Sequence, residues 1–295
     1  MTESLQTPGT NRTRTGRSVA KLAAVTLGAL IVAGGIALAL ARPRADRRWV
    51  PQHAVMAHAE VRGSTVQLHR LRNFSYTAEE QFTPGYDDRT YDLDKLETVW
   101  FIVTPFSRHW RGPAHTFVSF GFADSQYVAI SVEARREPGE TYGGVTGLFK
   151  QFELIYVIGD ERDLIGQRAA FGKSPVFLYP IRAPRERIRD VFVEMLQRAD
   201  GLRSHPEFYN TLTNNCTSNV IAHVNHVAPH RIPSGLKTIL PGYSDEVAHD
   251  LGLIDTDLDI VHARERFRIN ERAHKYVQDS LFSFRIRDTT APAGG

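Results

Sequence analysis

The chain has 295 residues, of which 42% are hydrophobic and 23% charged, with a formal net charge of +3. This suits one large globular domain or two small ones and excludes a chain disordered throughout. So small a positive excess does not make nucleic acid an expected partner.

Residues 1–18, rich in Thr, Arg and Gly, read as a disordered cytoplasmic tail. Residues 19–41 read as a transmembrane anchor. The run Leu22 to Ala41 carries no charge, and about 20 residues at about 1.5 Å each span a hydrocarbon core of about 30 Å. Ala39-Leu40-Ala41 also fits the cleavage site of a signal peptide, whose apolar region is typically about 7–15 residues and so shorter than this one. Arg12, Arg14, Arg17 and Lys21 precede the segment and Arg42, Arg44, Arg47 and Arg48 follow it, which nearly balances the positive-inside rule. A short basic tail ahead of an apolar segment usually stays in the cytoplasm. For a bacterial source the expected location is therefore the inner membrane, crossed once, with the soluble part in the periplasm. A single cysteine, with no partner for an intramolecular disulfide, is compatible with that compartment.

Residues 42–79 read as a juxtamembrane linker and lead-in, 80–260 as the main folded domain, and 261–295 as a C-terminal extension ending in a disordered tail from Asp288. Strands are predicted at Thr98–Thr104, His115–Phe122, Tyr127–Ala134, Phe152–Ile158 and Val176–Ile181. Ile188, Val191, Phe192, Met195 and Leu196 recur at helical spacing, with Pro184 before them and Gly201 beyond. A second helix is predicted from Cys216 to Val227, and a short one from Ser244, closed by Gly252. Strands first and helices second predict an α+β fold, an antiparallel sheet packed against helices, behind an N-terminal transmembrane helix.

Cys216 is the only cysteine. Polar, turn-favouring residues end at it and a helix pattern begins, and a helix N-terminus favours the reactive thiolate. The alternative is a buried thiol acting as a small hydrophobe. Residues 115–134 predict a hairpin around Ala123–Gln126. Placing Val118, Phe120 and Phe122 on one face with Val128, Ile130 and Val132 fixes the parity. His115 then shares the less apolar face with Ser131, Glu133 and Arg135. With residue 118 opposite 132, His115 lies across from Arg135 and diagonal to Glu133. A thiol nucleophile needs such a base and a polar group to orient it. Asn214 and Asn215 are candidates to cap the helix or to bind an oxyanion. Glu161, Arg162, Asp163 and Arg168 read as a surface salt-bridge network or, through the arginines, a headgroup site. His223 lies two turns from Cys216, too far for a direct hydrogen bond. With His226 and His230 it gives no zinc spacing, so no metal and no cofactor is expected.

Three stretches resemble the Lnb N-terminal periplasmic domain family. They are Tyr91–Leu96 with Ala114–Phe122; Ile130–Arg135 with Gly147–Tyr156 and Asp160–Asp163; and Tyr209–Asn219 with Leu240–Ser244 and Leu251–Asp255. The resemblance covers about residues 80–260, and its specific parts are the His-Thr-Phe-Val-Ser-Phe-Gly-Phe and Asn-Asn-Cys-Thr runs. It implies a permuted papain-like (NlpC/P60-like) or lecithin:retinol acyltransferase-like fold, with a strand histidine preceding a helix cysteine. Carried over by position, it implies Cys216 as nucleophile, His115 as base and Glu133 or Ser131 as third member, Glu133 favoured. Asn214, Asn215, Arg135 and Arg168 are the expected substrate-binding residues. The implied activity is thiol acyl transfer or hydrolysis on lipid or lipoprotein acyl groups, with the inner-membrane bilayer and a phospholipid or lipoprotein as partners. A cell-wall peptidase of NlpC/P60 type and a non-catalytic envelope scaffold are the alternatives. Family members carry further membrane segments after this domain. The charged stretch from Arg264 has no second apolar run, so the N-terminal segment is the expected membrane contact.

Overall fold

A computed structural model describes residues 12–107, 112–228, 231–233, 235, 237 and 240–289. Residues 1–11, His230 and residues 290–295 lie outside the described residues, as does most of the tail read as disordered at each end. The chain divides into two units, residues 1–42 and 43–295.

The first unit is helix α1, Arg12–Leu40. The segment 12–18, expected to be disordered, is its first part, a correction to the tail boundary. Val19–Leu40 is long and apolar enough to cross a membrane. The hydroxyl of Thr26 bonds back to the Leu22 carbonyl at 2.9 Å, which satisfies it within the helix.

In the second unit the strands are β1 (His58–Arg62), β2 (Thr65–Arg72), β3 (Ser75–Ala78), β4 (Gln81–Thr83), β5 (Tyr86–Asp92), β6 (Leu96–Pro105), β7 (Ala114–Phe122), β8 (Tyr127–Arg135), β9 (Glu153–Gly159) and β10 (Phe177–Pro180). The helices are α2 (Pro51–Ala54), α3 (Glu161–Leu164), α4 (Arg185–Ser204), α5 (Cys216–Val227), α6 (Ser244–Asp250), α7 (Ile260–Phe267), α8 (Asn270–Tyr276) and α9 (Phe282–Arg285). The main sheet runs β1-β2-β9-β8-β7-β6-β10, with β5 also on β2. Its pairings are antiparallel except where β2 meets β9 at Arg72 and Gly159. The fold is α+β, as expected.

Every residue of β7 is buried, so both faces of the sheet are covered. On one face Val118, Phe120, Val128, Ile130 and Tyr156 pack against α4 and α5. Ile188, Phe192, Met195, Leu196, Ala199 and Leu202 return to one stripe of α4, and the Phe192 ring lies 4.8 Å from that of Phe120. Burying each such side chain contributes about 1.5–3 kcal/mol. The helix runs through Gly201, which was expected to lie beyond its end. On the other face Ile102, Phe117, Ala129, Ile155 and Val157 meet Leu164, Ile165, Ala169, Ile269, Ala273, Phe282 and Ile286.

Two boundaries move as a result. The stretch 42–79, expected as linker, contributes β1, β2 and β3. The extension 261–295 supplies helices of the second layer, because Ile269, Ala273, Phe282 and Ile286 are apolar enough to cover the sheet. Glu161 and Asp163, expected in a surface network, are fully buried. Arg72 grips Asp163 through two bonds of 2.9 and 2.7 Å, and Arg287 grips Glu161.

The β7–β8 hairpin forms with the expected parity but another register. Val118 pairs with Ile130, and Phe120 with Val128. The turn closes early: Ser125 takes φ +65, its N–H donates to the Phe122 carbonyl at 3.0 Å, and Phe122 N–H donates to Gln126 O at 2.9 Å. A shift of two keeps every side chain on its face. Continued along the strands, it brings His115 level with Glu133 rather than Arg135.

Candidate active site

Strand β7 delivers His115, and β8 delivers Ser131 and Glu133 to the same face, because alternate residues of a strand point the same way. His115 Nε2 lies 2.7 Å from Ser131 Oγ, and Ser131 Oγ lies 2.8 Å from Glu133 Oε1. A carboxylate only accepts, so the hydroxyl proton goes to Glu133. Ser131 must then accept from His115, which places the imidazole proton on Nε2. His115 Nδ1 keeps its lone pair and has no hydrogen-bond partner among the described residues. Glu133 and Ser131, weighed as alternatives in the sequence, stand in series.

Two further donors hold Glu133. Arg168 Nη2 donates to Oε1 at 2.8 Å, and His53 Nε2 to Oε2 at 3.1 Å. Arg168 comes from a π-helical turn, Gln167–Phe171, and its guanidinium lies 5.3 Å from the Phe117 ring centre. Its Nη1 also donates to the Leu164 carbonyl at 2.7 Å. Burial works to raise the Glu133 pKa, but Arg168 and the His53 bond hold it well below the ordinary carboxylate value. Burial, aided by the positive charge of Arg168 and opposed by Glu133, pushes His115 down to about 3. The imidazole is therefore neutral at pH 7.

Arg135 lies at the same edge but is committed to the lead-in segment. It donates to the His53 and Ala54 carbonyls at 3.0 and 3.4 Å, and its guanidinium lies 4.2 Å from the Trp49 ring centre.

Cys216 is the first residue of α5 and is buried. Asn215 caps the helix in a reciprocal pair: its side chain accepts from Ser218 N–H at 2.8 Å, and its own N–H donates to Ser218 Oγ at 2.8 Å. Asn214 donates to the Phe208 carbonyl and accepts from Asn219, both at 2.9 Å. Both asparagines thus shape the turn before the thiol. That turn rests on Gly147, where a Cβ would strike the Thr211 hydroxyl. Tyr209 beside it has a raised pKa, through burial first and then the nearby Cys216. His223 is buried, with Nε2 2.8 Å from the Tyr156 hydroxyl.

Among the described residues Cys216 Sγ has one hydrogen-bonding neighbour, Thr217 Oγ1 at 3.8 Å, and that hydroxyl meets Thr116 Oγ1 at 2.9 Å. Thr116 and His115 leave β7 on opposite faces. Cys216 belongs to the core cluster of Val118 and Phe120, whereas Phe117, on which His115 stacks at 5.4 Å, belongs to the other. The structure therefore forms two groups: His115 with Ser131, Glu133 and Arg168, and Cys216 with Asn214 and Asn215. No hydrogen bond joins Cys216 to His115.

A cavity of about 230 Å³ opens between α4 and α5, and Thr217, the residue after the thiol, forms part of its wall. Val99, Phe101, Val118, Val191, Val220 and Ala248 line it. Among the described residues, no group of three or more His, Cys, Asp or Glu side chains is arranged to hold a metal ion.

A family model described as the Lnb N-terminal periplasmic domain matches residues 82–242, more than half of the chain. The chain belongs to the Lnb N-terminal periplasmic domain family. No match was found among curated proteins or among solved structures. The Lnb match contains His115, Ser131, Glu133, Arg168 and Cys216. His53 lies outside it, in a stretch read from the sequence as linker. Its one local signal is Pro51 at the start of α2, since proline favours the first helical position.

Proposed function

We propose that this Lnb-family chain is a cysteine-dependent acyltransferase or acyl hydrolase, anchored by α1 in the inner membrane with its catalytic unit in the periplasm. Its substrates are acyl groups of membrane lipids or lipoproteins. The observation that carries the choice of substrate is the apolar cavity beginning at Thr217. A cavity lined mainly by apolar side chains, with Arg182 and Arg187 also in its wall, favours a hydrocarbon chain over a polar peptide. The neutral His115, with Nε2–H held by Ser131 and Nδ1 open, supports the assignment of the base.

Cys216 Sγ attacks the acyl carbonyl carbon, and the thiol proton passes to His115 Nδ1. In the free chain the two groups lie apart, so this step requires the turn before α5 to bring Sγ within hydrogen-bond reach of Nδ1 when substrate binds. Backbone N–H groups at the start of α5 hold the oxyanion. The ester C–O bond then breaks, a thioester remains on Cys216, and the proton passes from His115 to the departing alkoxide. Burial and Arg168, which disfavour the imidazolium, promote that return. An amine acceptor gives acyl transfer, and water gives hydrolysis. A strand histidine feeding a helix cysteine is the order expected of a permuted papain-like site.

The test is intact-mass analysis of the full chain in detergent after exposure to p-nitrophenyl laurate. A lauroyl adduct on Cys216, lost in Cys216→Ala, is expected. Its absence, or a stem-peptide adduct formed from cell-wall fragments instead, overturns the lipid reading.

A further inference from the structure

His53 is 2% exposed, and both of its ring nitrogens are engaged. Nδ1 accepts from the Arg136 backbone N–H at 3.1 Å, which requires a lone pair there. The ring proton of the neutral imidazole therefore sits on Nε2, aimed at Glu133 Oε2. With Ser131 and Arg168 on Oε1, the carboxylate is held from both sides. Glu133 cannot rotate without breaking one of these bonds, and its orientation sets where Ser131 points its proton. That in turn sets which nitrogen of His115 is protonated.

The segment carrying His53 is fixed independently. Val50 N–H donates to Arg136 O at 3.0 Å, Arg72 Nη1 donates to Gln52 O at 2.9 Å, and Arg135 holds the His53 carbonyl. The charged groups facing His53 are Glu133, Arg136 and Arg72, with Arg135 on its carbonyl.

We propose that His53 is a positioning residue of the active site: through Glu133 and Ser131 it holds His115 in its Nε2–H tautomer, so that the chain following the membrane helix completes a site otherwise built within the Lnb match. This rests on the reading of His115 as the base. No part of His53 needs to touch substrate.

Two variants of the full chain in detergent test it. His53→Phe keeps a ring of similar volume but removes the donor, whereas His53→Gln keeps an N–H near the position of Nε2. Nitrogen-15 NMR of labelled imidazoles reads the His115 tautomer, its resonance identified by loss in His115→Gln. The expected result is a single Nε2–H tautomer in the parent and in His53→Gln, and a mixture in His53→Phe. Acylation of Cys216 by p-nitrophenyl laurate should slow about 10²-fold in His53→Phe at unchanged KM, the scale of a small misplacement of a reacting group, and recover in His53→Gln. A folded His53→Phe with the parent tautomer overturns the proposal, whether or not acylation is seen. If the parent itself is not acylated, the function reading fails, while the tautomer still decides the role of His53.

Discussion

His115 is the base of the proposed mechanism, and its protonation can be followed without a substrate. Its folded pKa of about 3 lies below the ordinary 6.5. The unfolded chain therefore binds a proton that the folded chain refuses. This contribution to stability is complete above pH 6.5 and is lost as pH falls toward 3, at about 1.4 kcal/mol per pH unit. His53, also held low by burial, acts in the same direction. Denaturant unfolding of the full chain in detergent should show this slope, and His115→Gln should flatten it. The same residue should govern rate: His115→Ala is expected to slow Cys216 acylation by about 10²- to 10⁴-fold, the usual contribution of a general base. Much of this was legible in the sequence, since strand alternation alone puts His115, Ser131 and Glu133 on one face. The serial order of Ser131 and Glu133 was not, because it depends on a register set by one positive-φ residue, Ser125. Nor was His53, whose partner lies 80 positions away along the chain.

The helix that presents Cys216 depends on the turn before it. The Asn215 cap satisfies a backbone N–H that would otherwise lack a partner at a buried helix start. Asn215→Ala should cost about 1 kcal/mol, within a usual range of about 0.5–2, measured as a shift in the unfolding midpoint. It should also lower the reactivity of Cys216 toward iodoacetamide, because the first turn frays. This element was readable from the sequence: polar residues up to position 215 and a helix pattern from 216 give the boundary directly. Helix α4 continues through Gly201, a residue type that marks helix ends, because helix interiors tolerate glycine at about 1 kcal/mol. Strands β1 and β5 are largely polar and half-exposed or exposed, so they lack the apolar pattern that marks β6 to β9 in the sequence.

The whole second unit is held across the sheet by buried ion pairs as well as by its two apolar layers. Arg72 of β2 and Asp163 of α3 are each almost fully buried, and Asp163 also accepts from the Phe74 backbone N–H at 2.8 Å. Asp163→Asn leaves the Arg72 charge without its counter-ion and should destabilise the fold by about 3–5 kcal/mol. The matched Arg72→Met, Asp163→Leu pair should recover much of this in chemical denaturation, since an apolar pair of similar volume avoids the desolvation cost. The sequence showed these charges but not their burial, because the covering helices come from residues after 260, whose composition looked like surface.

One consequence concerns force. The chain that follows Arg42 is stitched to the sheet by Arg47 against Glu137 and Glu153, Trp49 over Arg135, and His53 on Glu133. A pull along the chain at its membrane end would meet these contacts one after another, as a seam meets a tug, before it strained a strand. The last stitch is a hydrogen bond to Glu133, which Ser131 links to His115. Mechanical load on the segment after Arg42 would therefore reach the Glu133–Ser131–His115 chain of hydrogen bonds before the sheet gave way.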